Sequence, residues 1–100
     1  MASQKQYLIN EIKKQIEEAS GEIKESDKEI GILGAKLKVE NKMSKMADVP
    51  EEIKEDIKYS VLALEDMLTM GKSKNEELKK ELKILQYRKQ VIDKFEDEDF

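Results

Sequence analysis

The side chains that most often carry covalent or metal chemistry are missing. The chain has no Cys, no His and no Trp. That excludes disulfides, Cys or Cys/His zinc sites, and any triad built on His or a Cys nucleophile. Carboxylates are plentiful, in Glu17/Glu18, Asp27, Glu51/Glu52, Glu55/Asp56, Glu65/Asp66 and Glu76/Glu77. A ferritin-like di-metal bundle needs Glu-x-x-His on its helices. Without His, these acids read as solvated faces and as i,i+4 partners of Lys. Gly71-Lys72-Ser73 ends like a phosphate-binding P-loop. That motif needs a further Gly five residues before its second one, and Asp66 stands there. The expectation is a non-enzymatic protein with no catalytic residue, no metal ligand and no cofactor.

Three segments could instead contact a partner. The first combines Met43, Met46, Val49 and Pro50 with Asp48, Glu51 and Glu52. It resembles the tips of antiparallel coiled-coil proteins that enter the secondary channel of bacterial RNA polymerase. The resemblance implies an effector whose tip acids act there; the plainer reading is a capped turn. The second segment is Phe95-Glu96-Asp97-Glu98-Asp99-Phe100. It resembles the C-terminal tails of single-stranded-DNA-binding proteins, which implies a recruiting tail with an aromatic anchor and an acidic rim. No OB-fold strand pattern accompanies it, and its alternative is a disordered, solubilising tail. The third is the stretch with Lys72, Lys79, Lys80, Lys83 and Arg88, a possible phosphate contact that Glu76, Glu77 and Glu81 weaken.

Charge bears on the third segment. Lys+Arg number 19 and Asp+Glu 23, a formal net charge of -4. Glu96 to Asp99 supply four acids in a row, so the body is close to neutral. Dedicated nucleic-acid binders usually carry a clear basic excess. Nucleic acid is therefore a weakly supported partner.

These segments must be held by helices. Ile9, Ile12, Ile16, Ala19, Ile23, Ser26, Ile30, Leu33 and Leu37 recur at alternating steps of three and four. That is a heptad seam, with Ile9, Ile16, Ile23, Ile30 and Leu37 at a, and Ile12, Ala19, Ser26, Leu33 and Glu40 at d. It predicts a first helix over about 3–45. Asp48 as N-cap, Pro50 in the first turn and Glu51 three residues on suggest a capping box after a turn at 46–50. A second seam then runs through Ile57, Val61, Leu64, Leu68, Gly71, Asn75, Leu78, Leu82, Leu85, Lys89 and Ile92. It predicts a second helix over about 51–95, with the acidic tail at 96–100. Gly71 could stop that helix, and Ser73 with Glu76 could start another. The alternatives are a kinked second helix, or a break at 70–73 and a three-helix bundle. Folding the arms about residue 48 places Gly71 opposite about residue 25, where Ala19, Gly21 and Ser26 would make a waist of small residues.

The fold class is thus all-α, a long antiparallel helical hairpin of one domain. Such a hairpin buries one stripe per helix, yet further apolar residues follow helical spacing: Ile32, Ala35, Val39, Tyr59, Leu62, Met67 and Met70. They predict self-association, most simply two hairpins in a four-helix bundle. The partners expected are a second copy and an unidentified protein, with no membrane, since no long apolar run is present. The N-terminus shows no secretory pattern, which favours the cytoplasm. The Lys-, Glu- and Ile-rich, Arg-poor text and the small size suit a phage or mobile-element gene. The expected function is an assembly factor, adaptor or inhibitor acting through protein contact. The alternative is an accessory factor of nucleic-acid metabolism.

Overall fold

The computed structural model describes residues 3–100. Two helices dominate: α1 spans Gln4–Ser44 and α2 spans Glu51–Lys94. One turn of 3-10 helix follows at Asp97–Asp99, and no strand occurs among the described residues. Ser3 caps α1, because its Oγ accepts the Gln6 amide at 3.1 Å and its carbonyl accepts the Tyr7 amide at 3.0 Å. At the far end the Lys45 and Met46 amides donate to the Lys42 and Met43 carbonyls, tightening the last turn of α1.

The predicted Asp48–Glu51 capping box does not form. The Pro50 carbonyl accepts the Lys54 amide at 3.0 Å, so Pro50 itself holds the N-cap position. Asp48 lies two residues outside it, in the turn. Glu51 and Glu52 instead place negative charge in the first turn of α2, where the helix dipole favours it.

The three-helix alternative is also corrected. Residue 71 lies inside the unbroken helix α2. None of the four glycines has a positive φ, so Gly71 does not adopt the left-handed conformation of a helix stop. A helical Gly costs only about 1 kcal/mol relative to Ala, and the seam continues on both sides of it.

The chain divides into two compact units, Met1–Glu25 with Glu76–Phe100, and Ser26–Asn75. Each is an antiparallel pair of helical segments. In the first unit Ile12 is 5% exposed, and Ile9, Ile16, Ile23, Leu78, Leu82, Leu85 and Ile92 are half-buried. In the second Ile57 is 4% exposed, and Ile30, Leu33, Leu37, Val61, Leu64 and Leu68 are half-buried. The heptad seam read from the sequence is therefore the line along which the segments pack in both units.

The second unit also sets the register. Asn75 is 3% exposed at an a position of α2. Its Nδ2 donates to Ser26 Oγ and to Asp27 Oδ1, both at 3.0 Å. A methyl group placed on Gly71 would lie 3.6 Å from Ile30 Cγ1. Gly71 therefore faces Ile30, not residue 25, and the expected waist of small residues is replaced by two different layers. One pairs a large side chain with a glycine; the other is polar and hydrogen-bonded.

Two stability changes follow, each measurable by urea unfolding. Gly71→Ala gains helix propensity and ordinary contact with Ile30, and raises stability by up to about 1 kcal/mol; a loss would mean that Ile30 has no room to give. Asn75→Ala removes both side-chain hydrogen bonds of the polar layer and lowers stability by about 1–2 kcal/mol; an unchanged midpoint would mean that the layer contributes nothing.

Candidate functional site

The apolar residues left outside the seam are arranged, not scattered. With the seam at a and d, Ile32, Val39 and Met46 fall at c, and Met43 falls at g on α1. On α2, Ala63, Met70, Ile84 and Val91 fall at c, and Met67 and Phe95 fall at g. Positions c and g adjoin each other on one flank of a helix. In the Ser26–Asn75 unit, Val39, Ala63 and Met67 line one shallow groove between the helices, with Lys36, Glu40, Ser60 and Leu64. In the unit of the chain ends, Leu8, Ile84, Tyr87 and Val91 line another, with Glu11, Gln15 and Arg88. These grooves are open: Val39 is 59% exposed in the first and Val91 50% in the second. The e and b positions that flank the other side of the seam are polar or glycine apart from Leu62.

Of the residues expected to self-associate, Ile32, Val39, Met67 and Met70 share this c/g flank. Ala35 and Tyr59 stand at f and Leu62 at b, away from it, though all seven are exposed. Apolar character alone, without heptad position, merges two flanks into one expected surface. Ala63, which follows the same helical spacing, also lines the groove.

At the tip, Asp48, Glu51 and Glu52 are exposed, as is Met46, and Met43 is half-buried. Glu51 pairs only loosely with Lys54, at 3.8 Å. Lys38, Lys42 and Lys45 line a shallow depression with Asn41 and Met46. The tip is thus bipolar rather than acidic. The lysines are legible in the sequence but stand within the predicted α1, outside the segment expected to turn.

The tail is folded in place of the disorder its composition suggested. The Glu96 amide donates to Asp99 Oδ2 at 2.8 Å and the Asp99 amide to the Glu96 carbonyl at 3.0 Å. Phe100 packs on Phe95 with ring centroids 5.5 Å apart and a 58° tilt, a favoured aromatic geometry. Glu96, Asp97, Glu98 and Asp99 are exposed. Local turn bonds and one aromatic pair outweigh the acidic composition.

The basic stretch divides. Lys72, Lys79, Lys80, Lys83 and Arg88 are all exposed. Arg88, however, lines a groove with Glu18, Glu22 and Glu81, which compete with any phosphate for it. Gly71-Lys72-Ser73 lies inside a helix, where its amides are committed to helical bonds and cradle nothing. No cluster of three or more metal-ligating side chains occurs among the described residues. None of their helices is long and apolar enough to cross a membrane.

One ionisable group is clearly perturbed. Lys89 Nζ donates to Asp93 Oδ2 at 2.8 Å, and Lys5 Nζ to the Asp93 carbonyl at 3.3 Å. The hydrogen bond from Lys89, then the charges of Lys89, Lys5 and Lys13, hold the Asp93 carboxyl below the usual carboxylate range against a smaller opposing effect of desolvation. A carboxylate with a depressed folded pKa stabilises above its unfolded pKa, and that contribution disappears as pH falls through the folded value. Asp93→Asn therefore lowers the melting temperature slightly at pH 7 and not at pH 2; a deficit that persists at pH 2 would assign the effect to packing instead.

No protein-family model, no curated protein and no solved structure matches this chain.

Proposed function

We propose that the chain is a non-enzymatic helical interaction protein that works as a self-associated assembly. One observation carries the reading: Ile32, Val39, Met67 and Met70 stand exposed on the c/g flank of the Ser26–Asn75 unit, and Ile84 and Val91 stand exposed on that flank of the other unit. Two further facts support it. Among the described residues only Ile12, Ile57 and Asn75 are buried. The chain exposes 8022 Å², whereas a folded monomer of its 11.6 kDa mass usually exposes about 5,800 Å² by surface scaling. The surplus is of the size that a stable interface removes from water. A second copy offers the same apolar positions, and pairing them makes a four-helix bundle. The tip and the folded tail then stand as the surfaces for a further protein partner.

Light scattering after size exclusion tests this. The expected mass is twice 11.6 kDa, unchanged between low and high salt, because apolar burial is not screened. A complex held through phosphate contacts would weaken steeply with salt. Val39→Glu places an unpaired carboxylate in the interface, at a cost on the order of 3 kcal/mol, or roughly a hundredfold in the dissociation constant. Thr69→Glu adds the same charge at a b position and leaves the mass unchanged. A wild-type monomer, or a Val39→Glu variant that associates as well as Thr69→Glu, would contradict the reading.

A further inference from the structure

The groove of the Ser26–Asn75 unit has two unlike ends. Gly71 faces Ile30 in this antiparallel pair. Lys38, eight residues on from Ile30, therefore stands level with Ala63, eight back from Gly71. The groove residues divide about that level. On one side are Lys36 and Met67, a cation and a large flexible side chain, both exposed. On the other are Glu40 and Ser60, an anion and a small side chain, with Val39 and Ala63 near the middle. Lys36 and Glu40 have i,i+4 spacing, yet the ion pairs among the described residues are Lys54–Glu51 and Lys89–Asp93. Both groove charges are unpaired in the hairpin.

Resting on the self-association proposed above, we infer that a second copy seats on this groove about a two-fold axis crossing the helices level with Lys38 and Ala63. The Ser26–Asn75 unit of one copy then meets the same unit of the other, α1 antiparallel on α1 and α2 on α2. Such an interface is isologous, so every contact occurs twice. One axis matches both differences between the ends. Lys36 meets the partner's Glu40, and Glu40 meets the partner's Lys36. Met67 meets the partner's Ser60, a large side chain over a small one, and its flexible thioether adapts to an uneven wall. By the same count the exposed Ile32 falls beside the partner's Met43, apolar on apolar. A two-fold axis running along the helices would instead lay Lys36 over the partner's Met67 and Glu40 over the partner's Ser60. Both charges would then enter the interface without partners, which is costly. The apolar side chains supply affinity, and the charges select between the two axes.

Lys36→Glu and Glu40→Lys, each made in the full chain, test the pairing. Either variant alone sets like charges opposite each other at both contacts. Mixed, the two restore both pairs, while the repulsion each carries within its own helix persists. Sedimentation equilibrium is expected to show each variant dimerising at least tenfold more weakly than the wild type, and the mixture at least tenfold more tightly than either alone. Variants that dimerise like the wild type, or a mixture no tighter than its components, would overturn the inference. The chain has no native cysteine, so Val39→Cys and Ile32→Cys test the axis without altering charge. In the antiparallel seat Val39 lies about 3 Å along the helix from its own counterpart and Ile32 about 18 Å, at ~1.5 Å per residue. A short bis-maleimide is expected to yield at least tenfold more cross-linked dimer from Val39→Cys than from Ile32→Cys. Equal or reversed yields, or no cross-link in either, from chains that dimerise would overturn the inference too. A wild-type monomer by light scattering would instead remove the self-association on which it rests.

Discussion

Two helices packed on each other can bury only the residues that face the shared seam. Every other apolar side chain must meet water or another surface. This geometric limit governs the whole molecule. The a and d positions are used up by the hairpin, and only three residues are buried among those described. The c and g positions carry a second apolar set that the hairpin has no means of covering.

Within that limit, register is the next constraint. A heptad seam of Ile and Leu can slide by whole heptads at little cost, because each layer resembles its neighbours. The Asn75 layer breaks that degeneracy. Its amide finds two acceptors, Ser26 and Asp27, in the observed alignment. A slipped alignment would bury the amide against aliphatic side chains with its hydrogen bonds unmade. A single buried Asn fixes register in coiled coils in this way, at a cost in stability. Gly71 opposite Ile30 adds a steric version of the same information, a gap matched to a large side chain.

The sequence made the seam, the two helices and the position of the turn readable, since three- and four-residue spacings determine which side of a helix is apolar. It did not make register readable. Folding the arms about the turn by counting residues misplaced Gly71's partner, because the outcome depended on which layers satisfy Asn75. The Asp48 cap looked sound by motif, but the hydrogen bond from Lys54 to the Pro50 carbonyl starts the helix two residues later. The tail's short 3-10 turn and its Phe95–Phe100 pair are likewise specific contacts that composition does not encode. The c/g flank was present in the sequence throughout. It becomes visible when each apolar residue is given a heptad letter from the same seam that builds the fold.

The central claim is that the hairpin is half of a structure. Thermal unfolding followed by helical circular dichroism over a hundredfold range of protein concentration tests it most directly. If folding and association are one process, the midpoint rises steadily with concentration, as mass action requires. A midpoint that stays constant over that range would show that the hairpin stands alone and that its exposed apolar flank contributes nothing to stability.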